Sequence, residues 1–214
     1  MAKEEKTEAS SEQIVKYLNE SLETEITHGI EVSRLAGLLA KEMKQDREFC
    51  HDVEVAGVLH DVGKLRISTY LYGGEDKTLD VEKLRYIRMH SSLGYDIIKA
   101  RGYSKRVCEM VLHHHENYDG TGYPDNLFGE KIPLGARILR VCDVFVAMTS
   151  DRPYRKAFES NVAVELLIEE IRHFDMRVFL AFQRVIHEEL LQLSKNDAVQ
   201  DKLVYYKEGI KTWQ

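Results

Sequence analysis

The stretch TEITHGIEVSRLAGLLAKEM, residues 24–43, places Ile26, Ile30, Leu35, Leu38, Leu39 and Met43 among charged neighbours. These aliphatic side chains recur at helical spacing, without the two-residue alternation of a half-buried strand. Only 3 prolines and 13 glycines interrupt 214 residues, so long helices meet few obligatory stops. The expected fold class is all-α, built as a single-domain helical bundle around one core.

Upstream, residues 1–9 read as a polar tail, and Ser10 with Gln13 has capping-box spacing for a first helix. Downstream, Val55, Ala56, Val58 and Leu59 run into His60 and Asp61, and Gly63 is expected to stop that helix in the left-handed conformation. Residues 66–77 read as a loop through Gly73 and Gly74; a short helix with Leu79, Leu84 and Ile87 then leads to His90. Gly94 precedes a further helix holding Ile97 and Ile98. Ser104 is expected to cap a helix whose Val107, Met110 and Val111 bring His114 and His115 inward. After a Gly-rich loop over 117–130, Pro133 suits the first turn of a helix with Ile138, Val141, Phe145 and Met148, on which Asp143 lies. Ser160 and Asp175 read as caps of the last two helices. The domain is expected over residues 10–194, with residues 195–214 as a C-terminal appendage.

No run approaches the roughly 18 apolar residues of a membrane span, and the first residues lack the apolar core of a secretion signal. A cytoplasmic protein is expected. Three widely spaced cysteines, Cys50, Cys108 and Cys142, suggest neither a disulfide framework nor a thiolate metal site. A net charge of −6 disfavours polymeric nucleic acid as a partner. A small phosphate ligand remains compatible with the local cluster Arg137, Arg140, Arg152, Arg155 and Lys156.

Chemistry concentrates in seven residues at helix interiors or ends: His28, His60, Asp61, His90, His114, His115 and Asp143. Nitrogen and carboxylate donors suit iron, manganese or zinc, whereas magnesium and calcium prefer oxygen alone. Seven ligands exceed the needs of one tetrahedral ion, so two ions sharing a carboxylate are expected. Neighbouring helical residues project about 100° apart, which lets His60 bind one ion while Asp61 bridges two. A water whose pKa is brought near neutrality by such ions would supply the nucleophile. His51, His173 and His187 read as ordinary structural histidines, and His113 points about 100° away from His114.

GVLHDVGK (57–64), HHENYDGTGYP (114–124), ARILRVCDVFVAMTSDRPYR (136–155) and HFDMRVFLAF (173–182) together resemble the HD-GYP family of HD-domain phosphohydrolases. The resemblance runs from His28 to about Phe182 and implies an HD-type bundle with a buried dinuclear metal site. It implies that His28, His60, Asp61 and Asp143 bind one ion and Asp61, His90, His114 and His115 the other, with iron or manganese favoured and zinc possible. Asp61 and Lys64 would be catalytic, Lys64 meeting the scissile phosphate. Gly122, Tyr123 and Pro124 would shape the pocket and offer a surface to a regulatory protein. Arg152 and Arg155 would grip the ligand. The implied reaction is hydrolysis of cyclic di-GMP, or a related cyclic dinucleotide, to the linear dinucleotide pGpG and onward to GMP. Hydrolysis of another nucleotide, or ligand binding without turnover, are the rival readings. Some members bind a third metal through a glutamate that is Thr24 here, so two ions are expected; Glu23 and Glu25 point elsewhere on an ideal helix.

Overall fold

The computed structural model describes residues 11–67, 81–151 and 155–189. The N-terminal tail, Ser10, most of the loop over 66–77, Leu79, Arg152 and the C-terminal appendage lie outside these residues.

Helix α1, Ser11–Glu42, is one continuous element carrying the opening stretch. Its Val32, Leu35, Ala36, Leu39 and Ala40 are fully buried, at the spacing of a single stripe. Asp46 starts helix α2, Arg47–Leu59, by accepting the Phe49 N–H at 2.7 Å. Helices α1 and α2 pack along each other, and Ser33 Oγ donates to the Glu54 carbonyl at 2.7 Å across the seam.

A helical turn over 64–67 follows α2. Then come α3, Val81–Arg88, and α4, His90–Ala100. His90 opens α4 and Gly94 lies inside it, so the helix begins earlier than the sequence suggested. Ser104 caps α5, Lys105–His113, by accepting the Val107 N–H at 3.2 Å, as anticipated. Pro133 sits at the N-cap of α6, Leu134–Thr149, one residue ahead of the anticipated first turn. Helix α7, Ser160–Glu169, has Glu159 at its N-cap with no side-chain cap; Ser160 is already its first helical residue. Asp175 does cap α8, over 176–189, accepting the Arg177 N–H at 2.9 Å.

Helix α6 is the central post. It packs on α1, α2, α5 and α7, and its Ile138, Leu139, Val141 and Cys142 are wholly enclosed. Helix α8 adds Val178, Phe179 and Phe182, with Phe182 edge-on to Phe145 at 5.1 Å between centroids. Strand-like pairing is confined to isolated bridges among the described residues, such as that between Asp119 and Phe128. No described helix is long and apolar enough to cross a membrane. The architecture is all-α, and its helix ends and inner faces converge at one polar centre between α1, α2, α4, α5 and α6.

Candidate metal centre

The seven site residues reach the centre from five segments of the chain. His28 comes from α1, Asp143 from α6 and His90 from the start of α4. His60 and Asp61 follow the last turn of α2, and His114 and His115 follow the end of α5. Segments just beyond helix ends can hold adjacent side chains in unlike directions, which a continuing helix does less readily.

Gly63 has a different role from the anticipated one. The residues with positive φ do not include it, and α2 has already ended at Leu59. A Cβ at Gly63 would lie 1.9 Å from the His90 carbonyl oxygen and 2.7 Å from the Gly94 nitrogen. Glycine therefore permits the turn bearing Asp61 to press directly on the start of α4, which sets Asp61 beside His90.

The seven residues form two abutting groups: His28, His60 and Asp143, and Asp61, His90, His114 and His115. Asp61 spans both. Its Oδ2 lies 3.1 Å from His60 Nε2 and its Oδ1 lies 3.2 Å from His90 Nε2. Asp143 Oδ1 is 3.0 Å from His28 Nε2 and 3.7 Å from His60 Nε2; its Oδ2 is 4.0 Å from His115 Nδ1. His28, His60, His90 and His114 are buried.

Three imidazoles are oriented alike by backbone behind them. His60 Nδ1–H donates to the Gly57 carbonyl at 2.7 Å, His90 Nδ1–H to Ile87 at 2.6 Å and His114 Nδ1–H to Val111 at 2.6 Å. A carbonyl only accepts, so each Nδ1 carries a proton and each Nε2 is turned to the centre, a bare lone pair wherever the ring is neutral. His90 Nε2 and His114 Nε2 then face each other at 3.2 Å. Two lone pairs at that distance repel unless a cation lies against both. His60 Nε2, Asp61 Oδ1 and His28 Nδ1 are also sealed from solvent without a hydrogen-bond partner among the described residues. Such atoms are costly unless coordinated, and this donor set fits divalent ions.

The electrostatics agree. Burial works against charge on His60, but Asp61 and Asp143 outweigh it and hold its pKa well above the usual histidine range. Burial likewise opposes ionisation of the two carboxylates; His60 and Lys64 for Asp61, and His28 and His60 for Asp143, hold both well below the usual range. His114 is driven well down by burial and by His115, His60 and His90. His115 falls to about 3, through burial foremost, against the opposing pull of Asp143. The two carboxylates thus draw positive charge to the His60 side, a proton on that ring or a divalent ion in the proton's place, while His114 and His115 are held neutral.

Lys64 Nζ donates to Asp61 Oδ2 at 2.7 Å and to Glu25 Oε2 at 3.0 Å. Glu25, set aside in the sequence on ideal helical geometry, therefore joins the centre through the long lysine side chain. Burial would lower the Lys64 pKa, but the two carboxylates raise it above its ordinary value.

The Gly122-Tyr123-Pro124 loop folds back on the second ligand group. A Cβ at Gly122 would lie 2.2 Å from the Asn117 nitrogen and 2.5 Å from the His115 carbonyl oxygen, so only glycine admits this approach. Tyr123 N–H donates to the same carbonyl at 3.2 Å, and the Tyr123 ring stacks on His115 at 4.8 Å. Pro124 follows through a cis peptide bond. Glu116, buried and absent from the sequence reading, accepts the Asp125 N–H at 2.7 Å and the Leu127 N–H at 3.1 Å, tying the loop down. Its place directly after the histidine pair was the one hint, because a carboxylate that serves only backbone donors has no sequence signature of its own.

Other residues lie apart. His113 bonds Asp125, and His173 pairs with Glu170. Arg155 directs NH1 to the Met148 and Lys156 carbonyls, both at 2.9 Å, and NH2 to Ala147 at 2.8 Å, so it closes the C-terminal end of α6 instead of reaching the ligand groups. Arg152 lies outside the described residues.

Comparison with known proteins accords with this geometry. A model of the HD domain matches residues 9–178. The cyclic di-GMP phosphodiesterase PA4108 of Pseudomonas aeruginosa is 37% identical over 160 residues, covering 74% of this chain and 38% of that protein. The 3′3′-cGAMP-specific phosphodiesterase 1 of Vibrio cholerae is 34% identical over 154 residues, covering 71% of this chain and 36% of that protein. This chain thus spans under two fifths of the length of either relative. The solved structure of Bd1817, an HDG"Y"P protein from Bdellovibrio bacteriovorus, superposes with a TM-score of 0.63 at 17% identity, over 76% of this chain and 52% of the other, which shows the shared fold. With its HD and GYP elements meeting at one centre, the chain belongs to the HD-domain family, in its HD-GYP branch.

Proposed function

We propose that this domain is a metal-dependent phosphodiesterase acting on a cyclic dinucleotide, cyclic di-GMP foremost, and releasing the linear dinucleotide. The observation that carries the reading is Asp61, whose two oxygens face separate histidine groups. His28, His60, Asp61 and Asp143 would hold one divalent ion, and Asp61, His90, His114 and His115 a second, iron or manganese by the chemistry of the donors, with zinc also compatible. Bound there, the ions supply Lewis acidity and an ionised water at neutral pH.

The chain's own groups do the rest. Lys64, fixed by Asp61 and Glu25, is positioned to stabilise charge on a phosphate oxygen or on the departing sugar oxygen. Tyr123 walls the pocket beside His115, and Arg88 lies over its ring at 5.4 Å. Gly122 and Pro124 hold that wall against the ligand backbone. Arg155 acts in this scheme by closing the end of α6, and Arg152 would grip the ligand. The outer side of the GYP loop, where Phe128 is 65% exposed, is our candidate surface for a regulatory protein. The cytoplasm, where nucleotide second messengers are made, is the corresponding place of action.

The test is a turnover panel with manganese- or ferrous-loaded protein on cyclic di-GMP, 3′3′-cGAMP, cyclic di-AMP and nucleoside monophosphates. Cyclic dinucleotides should be opened to linear products. Preference for monophosphates would move the activity elsewhere in the HD family, and tight binding without hydrolysis would make this a sensing module.

A further inference from the structure

We propose that Arg140 is a phosphate-binding residue of this centre, donating from its terminal nitrogens to an oxygen of the substrate phosphate. The inference deepens the phosphodiesterase reading and rests on it for the identity of the substrate.

Arg140 stands three residues before Asp143 on α6, so the two share a helix face. Its Nε donates to Asn117 Oδ1 at 3.0 Å. Asn117 is itself held, since its Nδ2 donates to Thr121 Oγ1 at 3.0 Å and Thr121 Oγ1 donates to Asp119 Oδ1 at 2.6 Å. This chain of bonds fixes the guanidinium beside the segment that follows His115. Phe174 lies under it, 6.0 Å from Cζ to the ring centroid. Arg140 is close enough to Asp143, Tyr123 and His115 to act electrostatically on all three.

Burial without a carboxylate partner distinguishes it from the other described arginines, since Arg47, Arg66, Arg85, Arg88 and Arg101, for which no ion pair is seen either, are exposed. Arg34, Arg106, Arg137, Arg177 and Arg184 each lie within salt-bridge distance of a carboxylate, and Arg155 is committed to backbone carbonyls. Arg140 is half-buried, yet among the described residues no carboxylate oxygen lies within 4.0 Å of it and its terminal nitrogens donate to nothing. Those nitrogens are absent from the atoms sealed without partners, so they still reach open space. A partly dehydrated cation with unused donors, tethered at one nitrogen and one helical turn from Asp143, suits an anion that arrives from solution. Phosphate oxygens match its planar fork better than they match a lysine.

The experiment uses the full chain loaded with manganese, with R140A, R140Q and R140K compared to the parent protein. Three quantities are read: metal per chain, the affinity for inorganic phosphate, and kcat/KM on cyclic di-GMP. Loss of a charge-assisted bond should weaken phosphate binding by about tenfold or more in R140A and R140Q, with a comparable fall in kcat/KM. Metal content should stay at the parent value, and R140K should recover part of the phosphate affinity. Phosphate affinity within about twofold of the parent in both R140A and R140Q would overturn the proposal. So would loss of bound metal in step with phosphate affinity, which marks a structural role. If the parent protein opens no cyclic dinucleotide but binds phosphate in an Arg140-dependent way, Arg140 keeps its role while the substrate assignment fails.

Discussion

Substituting Gly63 by alanine tests how the two ligand groups are held in register. The added methyl would sit 1.9 Å from the His90 carbonyl oxygen, 2.8 Å from the His90 carbonyl carbon and 2.7 Å from the Gly94 nitrogen. The first distance is more than about 1 Å inside ordinary contact, and all three neighbours are backbone atoms that cannot rotate away. Relief requires the turn bearing Asp61 and Lys64 to part from α4, which lengthens the 3.2 Å approach of Asp61 Oδ1 to His90 Nε2. Overpacking of this kind costs about 3 kcal/mol, which for a domain of this size lowers Tm by roughly 6–12 °C. Gly102 supplies the control, because its φ of +80° disfavours alanine although nothing lies within 4 Å of an added Cβ. There the cost is about 1 kcal/mol of backbone strain, with no effect on the metal centre. Thermal unfolding and metal analysis of both variants read the difference. Equal destabilisation of the two, or a Gly63→Ala protein that unfolds and binds metal like the parent, would refute the packing argument.

Three further outcomes follow from the same geometry. Glu116→Gln replaces one acceptor with a donor that faces a backbone N–H, which should cost about 1–3 kcal/mol in urea unfolding and speed hydrogen exchange at Asp125 and Leu127; unchanged exchange at both would contradict the anchoring role. Asp175 is held below its ordinary pKa: burial opposes this, but the Arg177 N–H and Arg137 outweigh it. A depressed folded pKa means stability that is present above about pH 4 and lost as pH falls through the folded value, so Asp175→Asn should be less stable at pH 7 and the gap should close in acid. A gap that persists in acid would contradict it. Chelation should lower Tm relative to manganese-loaded protein, by roughly 8–16 °C when the ion exceeds its Kd about a thousandfold; coincident melting curves would count against ligation in the folded state.

The helices were legible because their determinants are local. Leu35 and Leu39, read from the sequence, do lie on the buried stripe of α1, whereas Ile26 and Ile30 from the same reading are exposed; Ser104 and Asp175 mark helix starts through side chains that bond their own next turn. The seven candidate ligands stood out because they fall in short motifs at helix ends or within helices, where histidine and aspartate are uncommon. Long-range fit was less so. Gly63 reads locally as a helix stop, and only the close passage of α4 reveals why a side chain is excluded there. Glu25 projects away from the centre on an ideal helix, and only the reach of Lys64 brings it in. Arg140 and Arg155 look alike in sequence within one basic cluster, yet one is tethered beside the ligands and the other closes a helix end. Such distinctions depend on which backbone passes nearby, which no local pattern encodes.

On the proposed function, seven side chains cage two cations around Asp61. Anomalous scattering from crystals of the manganese-loaded protein tests it directly. Two peaks about 3.5–4 Å apart, with one Asp61 oxygen on each, are the expected result. A single peak, or two peaks that Asp61 does not join, would contradict the account.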